Sequence, residues 1–289
     1  MIKNQKIIVT GGAGFIGSHL CEKLSKGNLN EVFSIDNYFT GSKENHCSNT
    51  TYIDGCSSKI NDLIDFKPDI IFHLGEYSRV EQSFSDIEQI NEFNFLATKG
   101  VFEFCRKNKV RIIYAGSSTK FGDDGGSINA SPYAWSKASN SNLLVNYGKW
   151  FDLDYSIVYF YNVYGGNEIA SGKYSTLIAK YIDNYKKKLP LTVTLPGTQR
   201  RNFTYIDDII SGLLLVGEKG KGDNYGIGSS KSYSVIEVAE MFDCEIKYTK
   251  VKAGNRMDAK VINQQLIDLG WRESVSLEEY IKSQIKLVP

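Results

Sequence analysis

Between residues 6 and 160, short runs of β-branched residues alternate with longer stretches whose apolar positions recur at helical spacing. The runs predicted to form strands are 6–10, 31–36, 51–54, 69–74, 111–116 and 155–160. The stretches predicted to form helices are 15–26, 86–108 and 133–150. Strands separated by helices are typical of right-handed βαβ units. The pattern therefore predicts an α/β fold with a doubly wound parallel sheet.

The pattern changes after residue 165. A basic amphipathic stretch at 174–188 predicts a helix, 191–203 reads as extended, and a further helix begins near Asp207. The remaining residues predict small helices and one strand near 245–250. We expect a first domain over 1–163 and a smaller C-terminal α/β domain over 164–289. Residues 202–228 are expected to return to the first domain, so that the two are interleaved.

A glycine-rich sequence, GGAGFIG, fills residues 11–17 between the first predicted strand and the first predicted helix. Such glycines allow a tight turn and let backbone N–H groups approach a pyrophosphate at the start of a helix. A plain strand–helix turn is the alternative for a glycine-rich stretch alone. Asp36 ends the second strand, 19 residues after Gly17, and this spacing suits an acid that binds a ribose. Together they predict a Rossmann-type dinucleotide site.

The residues around Asp36 favour NAD over NADP. Its carboxylate would accept hydrogen bonds from the adenosine ribose and repel a 2′-phosphate. The following Asn37 and Tyr38 include no arginine that could hold such a phosphate.

Tyr133 and Lys137 lie four residues apart in the sequence YAWSK, so on a helix they share one face. The lysine cation would stabilise the phenolate form of the tyrosine, which could then accept a proton. The alternative is an amphipathic helix on which the two are merely neighbours. We predict Tyr133 and Lys137 as catalytic residues, and Ser117 precedes them in the sequence at the end of the fifth strand. The residues predicted to bind NAD are Gly11, Gly14, Phe15, Ile16, Gly17, Asp36, Asn37, Leu74, Tyr133 and Lys137.

Over nearly its whole length, the chain resembles the extended short-chain dehydrogenases/reductases of the nucleotide-sugar epimerase/dehydratase family, in particular UDP-glucose 4-epimerases. The motifs that carry this resemblance are GGAGFIG at 11–17, FHLGEYSRVEQS at 72–83, Asn94 in NFLAT, YAWSK at 133–137, Asn162 in YNVYG and RRNFTYIDD at 200–208. The resemblance implies that Ser117 bonds to the reacting oxygen of the sugar and that Lys137 also holds the nicotinamide ribose.

The resemblance also implies how a nucleotide-diphosphate sugar is bound. Asn162 is similar to a residue that contacts the phosphates, and Arg201 resembles an arginine that clamps them. Arg256 resembles a second phosphate arginine, although the surrounding pattern departs from the usual one. A solvated basic turn is the alternative for Arg200 and Arg201. The residues predicted to bind substrate are Ser78, Ser117, Ser118, Tyr133, Asn162, Arg201 and Arg256.

One departure from the family bears on the type of reaction. Family members that catalyse 4,6-dehydration carry Asp-Glu directly after the catalytic hydroxyl residue, whereas this chain has Ser118 and Thr119. Hydroxyls cannot replace a carboxylate base at neutral pH. We therefore predict C4 epimerisation through a transient 4-keto sugar. A 4,6-dehydratase that uses Asp123 or Asp124, a decarboxylase, a reductase, an epimerase acting at another carbon and a non-catalytic dinucleotide-binding relative remain alternatives.

The composition bears on the partners of the protein and on the compartment in which it works. The 289 residues are 42% hydrophobic and 23% charged, which is typical of a globular protein. A net charge of +1 disfavours nucleic acid as a partner, and no apolar run reaches the ~18 residues that span a membrane. Five cysteines without a CxxC pair indicate reduced thiols in the cytoplasm and no metal site. The resemblance further implies a homodimer formed through the helices at 86–108 and 133–150.

Overall fold

The computed structural model describes residues 2–27, 29–251, 253–254 and 256–287. Most of the strands belong to one parallel sheet, and the rest form three strand pairs. The strands are β1 (Lys6–Thr10), β2 (Glu31–Asp36), β3 (Thr50–Asp54), β4 (Ile70–His73), β5 (Arg111–Ser117), β6 (Tyr155–Phe160), β7 (Val163–Tyr164), β8 (Leu191–Thr194), β9 (Arg200–Asn202), β10 (Thr204–Tyr205), β11 (Gly222–Ile227), β12 (Ser232–Ser234) and β13 (Ile246–Thr249).

Within the described residues, the central sheet contains seven strands in the order β11-β6-β5-β4-β1-β2-β3. All of its pairings are parallel, and β1 pairs with β2 on one side and with β4 on the other. The strand order reverses at β1, so the chain leaves β1 and β4 in opposite directions. Doubly wound sheets bind their ligands in the crevice that opens at such a reversal.

Helices cover both faces of this sheet. The helices are α1 (Phe15–Ser25), α2 (Ile60–Leu63), α3 (Ile87–Gln89), α4 (Ala97–Asn108), α5 (Pro132–Phe151), α6 (Leu177–Lys186), α7 (Ile206–Lys219), α8 (Val235–Glu240), α9 (Gln264–Asp268) and α10 (Leu277–Lys286). Successive side chains of β1 lie on opposite faces of the sheet. Ile7 packs in one buried cluster with α1 and α7, and Ile8 packs in another with α4 and α5. The predicted Rossmann-type fold is thus confirmed.

A smaller third cluster of buried apolar side chains joins α6, α8 and α10 to β8 and its neighbours. Here β8 pairs in parallel with β13, β9 pairs antiparallel with β12, and β7 pairs in parallel with β10. This cluster lies beside the crevice, because β9 and the segment before α6 line the same cavity as the sheet.

Two predicted helices differ from the structure. The helix expected at 174–188 begins only at Leu177. Residues before it are held by the first half of the chain, since the Tyr174 hydroxyl donates to Asp86 at 2.8 Å and the Tyr174 carbonyl accepts from Arg79 at 2.6 Å. The stretch 86–108 is not one continuous α-helix, because a π-helical turn at Ile90–Leu96 separates α3 from α4. In the described part of the chain, no helix is long and apolar enough to cross a membrane.

Candidate active site

A cavity of about 1150 Å³ opens at the carboxyl ends of the central strands. It extends from the end of β2, past the glycine-rich loop and the start of α5, to β9 and the segment after β13. Every residue predicted to bind the cofactor or the substrate lines this cavity. The structure therefore brings together side chains that lie up to about 245 residues apart in the sequence, from Gly11 to Arg256.

The glycine-rich loop is closed too tightly for side chains at Gly11, Gly12 and Gly17. Gly11 has φ +74°, and a Cβ there would lie 2.8 Å from the Cα of Gly75. A Cβ on Gly17 would lie 2.0 Å from the carbonyl oxygen of Gly11. The loop thereby brings the N-terminus of α1, with its unpaired N–H groups, to the cavity wall. This cradle fits a pyrophosphate.

Asp36 lies at the end of β2 and is buried at the cavity wall. Its carboxylate accepts the backbone N–H of Ala13 at 2.9 Å and that of Tyr38 at 2.8 Å. Burial raises the pKa of Asp36, and these two hydrogen bonds oppose the rise. A carboxylate has about four acceptor positions, so this one ties the loop to β2 and can still accept from ribose hydroxyls. The adenosine half of NAD therefore fits this end of the cavity.

The start of α5 presents Tyr133 and Lys137 to the cavity. Pro132 occupies the first helical position, and the Ser131 side chain caps the helix by accepting the N–H of Ala134 at 3.1 Å. This cap fixes where the helix begins and thus which residues of its first two turns face the cavity. Lys137 is 5% exposed, and its ammonium donates to the carboxylate of Glu76 and to the carbonyl of Ala115.

Glu76 accepts several further hydrogen bonds; its place after the fourth strand left a role in lining the sugar pocket and an ion pair at the strand end equally open. Its Oε1 accepts from Thr98 at 2.8 Å, from Asn140 at 2.9 Å and from Tyr114 at 3.1 Å. The side chain is only 1% exposed. An acidic residue just beyond a fully buried strand at the ligand-binding edge of the sheet was the available signal. Its lysine partner, however, lies 61 residues further along the chain.

The hydroxyl residues at the end of β5 and directly after it line the same cavity as Tyr133. Ser117 Oγ accepts the hydroxyl of Thr119 at 2.9 Å, and Ser118 Oγ accepts from Arg256 Nη2 at 3.1 Å. Asp123 and Asp124 are exposed and do not line the cavity. Asp123 instead accepts backbone N–H groups of the 257–258 segment. Of the described residues 118–131, those that line the cavity therefore carry hydroxyl side chains.

Two arginines of the C-terminal half lie side by side in the cavity wall. The Nη2 of Arg201 donates to the backbone carbonyl of Arg256 at 2.8 Å. Burial and the neighbouring charge of Arg256 lower the pKa of Arg201 to about 10. Arg256 is 9% exposed, and within the described residues its buried Nη1 has no hydrogen-bond partner. Two adjacent buried cations of this kind suit an anionic ligand. Arg200, by contrast, pairs with Glu237 at 3.3 Å on the surface.

The remaining predicted substrate residues line the middle of the cavity. Asn162 has φ +30° and donates to the carbonyl of Asn202 at 3.3 Å, while Ser78 accepts from Arg79 at 3.0 Å. Glu168 also lines the cavity, although no sequence motif predicted a site role for it. Burial raises the pKa of Glu168 to about 7. In the described part of the chain, no three His, Cys, Asp or Glu side chains are grouped so that they could hold a metal ion.

Comparison with known proteins identifies the protein family of this chain. A sequence profile described as the NAD dependent epimerase/dehydratase family matches residues 7–228. The chain belongs to this family. A putative UDP-glucose 4-epimerase of Methanocaldococcus jannaschii is 29% identical over 96% of each chain. UDP-glucuronic acid decarboxylase 6 of Arabidopsis thaliana is also 29% identical, over 96% of this chain and 86% of the relative.

A solved structure of a nucleotide-sugar epimerase superposes closely on this chain. The UDP-glucuronic acid 4-epimerase of Bacillus cereus, in complex with UDP-glucuronic acid and NAD, superposes with a TM-score of 0.85 at 26% identity, with 98% of each chain covered. The family uses NAD, and its members include nucleotide-sugar epimerases, dehydratases and decarboxylases. The predicted family resemblance and the predicted cofactor, NAD, are thus confirmed.

Proposed function

We propose that the protein is an NAD-dependent nucleotide-sugar epimerase that inverts C4 through a transient 4-keto sugar. The observation that carries this proposal is a cavity lined by Ser117, Tyr133 and Lys137, in which the two residues directly after Ser117 are hydroxyl residues, Ser118 and Thr119, and not carboxylates. Epimerisation needs one group that accepts and returns a proton, whereas 4,6-dehydration needs a further acid and base. Asp123 and Asp124 lie outside the cavity and do not supply them.

The proposed mechanism assigns one step to each of three side chains. Tyr133, as phenolate, accepts the proton of the C4 hydroxyl and later returns it to the C4 oxygen. Ser117 donates a hydrogen bond to that oxygen, since its own Oγ already accepts from Thr119 and leaves its proton available. Lys137 stabilises the phenolate by its charge. Bound NAD supplies the acceptor for the C4 hydride, which returns to the opposite face of the sugar.

The two halves of the chain are proposed to divide binding between them. Residues 1–163, with 202–228, would hold NAD through the glycine-rich loop and Asp36. Residues 164–289 would hold the nucleotide-diphosphate sugar, with Asn162 contributed from the end of the first part. Arg201 and Arg256 would bind the diphosphate, so that the flat ketone can turn while its anchor stays fixed.

A second candidate is decarboxylation of a nucleotide-linked uronic acid. The Arabidopsis relative is named a UDP-glucuronic acid decarboxylase. The Nη1 of Arg256, which has no hydrogen-bond partner among the described residues, would also bind a carboxylate on the sugar; the Nη2 of the same arginine donates to Ser118. A net reductase is disfavoured because Asp36 opposes the 2′-phosphate of NADPH, and a non-catalytic relative would not need the Tyr133–Lys137 pair.

One experiment separates these functions. The purified protein is incubated with a panel of UDP-, GDP-, CDP- and dTDP-sugars that includes UDP-glucuronic acid, and products are analysed by mass spectrometry and NMR. Epimerisation gives a stereoisomer of unchanged mass without accumulation of NADH. A product lighter by water indicates dehydration, and one lighter by carbon dioxide indicates decarboxylation. A requirement for stoichiometric NAD(P)H indicates a reductase.

We also propose that the protein is a cytoplasmic homodimer formed through residues 86–108 and 133–150. Large apolar side chains support this surface: Leu96 is 62% exposed, Trp135 52% and Trp150 61%. Light scattering after size-exclusion chromatography tests it. Trp135→Glu should convert a dimer to a monomer, while a wild-type protein that is monomeric at micromolar concentration would contradict the proposal.

A further inference from the structure

A chain of hydrogen bonds leads through the core to Glu76, and its direction can be assigned. Thr10 Oγ1 accepts two backbone N–H groups, at 3.1 and 3.0 Å, so its own proton goes to His73 Nδ1 at 2.7 Å. Burial lowers the pKa of His73 to about 4, so the ring is neutral and its Nε2–H donates to Thr98 at 3.0 Å. Thr98 in turn donates to Glu76 at 2.8 Å. Every donor in the chain points toward the Glu76 carboxylate.

This carboxylate orients the ammonium of Lys137. An ammonium has three N–H donors, and Lys137 directs one to Glu76 and one to the carbonyl of Ala115. Within the described residues one N–H is left without a hydrogen-bond acceptor, and Lys137 lines the cavity, with its ammonium also 4.9 Å from the centre of the Tyr114 ring. Because the side chains of Glu76 and Lys137 are 1% and 6% exposed, water screens their charges little.

The position of this pair relative to the cofactor follows from the cavity. If the adenosine ribose binds at Asp36 and the pyrophosphate at the glycine-rich loop, the nicotinamide ring would lie further along the cavity, toward the part lined by Tyr133 and Lys137. The oxidised ring carries a positive charge and the reduced ring does not. A lysine cation alone would therefore disfavour the oxidised cofactor at this place.

We propose that Glu76 is a positioning residue for Lys137. Glu76 directs the remaining N–H of the Lys137 ammonium into the cavity, and its negative charge offsets the positive charge of Lys137 beside the oxidised nicotinamide ring. The proposal rests on the proposed function, because an epimerase must begin each cycle with the oxidised cofactor. It is specific to the charge of Glu76 rather than to the space that its side chain fills.

The test measures which form of the cofactor the protein retains. The purified protein is equilibrated with an equimolar mixture of NAD and NADH, and the bound ratio is read after rapid removal of free nucleotide. Glu76→Gln keeps the size of the side chain but removes its charge, and we expect the bound ratio to move about tenfold toward NADH. Tyr114→Phe, which removes a neutral donor to the same carboxylate, is the matched control and should leave the ratio unchanged.

Two further variants keep the test decisive if Glu76→Gln folds poorly. Lys137→Met leaves the carboxylate alone and should move the bound ratio toward NAD, the opposite direction. The double variant Glu76→Gln/Lys137→Met carries neither charge and should return close to the wild-type ratio. A ratio that stays constant across these variants, even with less total nucleotide bound, would show a merely structural role and overturn the proposal.

No sugar enters this measurement, so the two proposals can fail separately. If the ratio shifts as expected and no sugar nucleotide is turned over, the proposed function fails while the charge effect of Glu76 stands. If epimerisation is observed and the ratio does not respond, the role assigned to Glu76 is wrong.

Discussion

The glycine-rich loop allows stability and cofactor binding to be perturbed separately. In Gly17→Ala, the new Cβ would lie 2.0 Å from the Gly11 carbonyl oxygen, so α1 must move by about 1 Å to reach an allowed contact. Overpacking of this kind costs about 1–3 kcal/mol, which in a chain of this size lowers Tm by roughly 3–10 °C. Because the same movement carries the N-terminus of α1 away from the cavity, NAD affinity should fall as well.

Gly14→Ala should behave differently. Its Cβ meets only the Gly11 carbonyl oxygen, at 3.2 Å, and its φ of −81° suits alanine. The fold should therefore keep a Tm within about 2 °C of wild type, since the loss is below about 1 kcal/mol. The methyl group would still stand at the cavity wall where a pyrophosphate must approach the backbone, and we expect at least a tenfold loss of NAD affinity, about 1.4 kcal/mol.

Gly126→Ala is the matched control, because a Cβ there meets no atom within 4 Å and the position lies outside the cavity. Thermal unfolding of the nucleotide-free proteins and calorimetric titration with NAD measure the two effects. The reasoning is refuted if Gly17→Ala unfolds at the same temperature as Gly126→Ala, or if Gly14→Ala binds NAD as tightly as wild type does.

Three further variants test individual side chains. Tyr133→Phe should lower kcat at least about a hundredfold while NAD still binds, and a rate within threefold of wild type would contradict its role. Asp36→Ala should narrow the preference for NAD over NADP in calorimetry, and equal affinities in the wild-type protein would oppose this interpretation. Glu168 has a pKa raised to about 7 by burial, so its contribution to stability is present below about pH 4.5 and is lost as pH rises through 7. In urea unfolding, the free energy of unfolding should fall between pH 5 and pH 7.5 by less in Glu168→Gln than in wild type. An equal fall in both proteins would contradict the raised pKa of Glu168.

The sheet was predictable because its inner strands, β1, β4, β5 and β6, are buried on both faces. The bounds of β1, β2 and β6 agree with the predicted runs, since continuous β-branched and aromatic residues flanked by polar ones leave little choice of register. The start of α6 was not predictable in this way. Tyr174 has helical surroundings in the sequence, but Asp86 and Arg79, about 90 residues earlier, hold it in a non-helical segment.

The candidate site likewise contains residues that could be predicted from their sequence neighbours and residues that depend on distant contacts. Gly17, Asp36 and Tyr133 could be located because their neighbours in sequence define the strand or helix on which they lie. Glu76 could not, because its role depends on Lys137 and Asn140, which reach it only after α5 has packed on the sheet. The π-helical turn that contains Asn94 also escapes a periodicity argument, since one extra residue in a turn leaves the apolar pattern nearly unchanged.

The return of the chain to the central sheet bears on how this protein folds and diverges. The strand β11 forms the edge next to β6, and α7 packs against α1 in the same buried cluster, although both follow β8 and β9 in sequence. A fragment that ends before α7 would expose the apolar side of α1 and leave β6 as an open edge. We therefore expect a single cooperative unfolding transition and no protease-resistant half. New substrate preferences in such a chain must arise by substitution and loop variation within one folding unit, because neither half can be exchanged as an independent module.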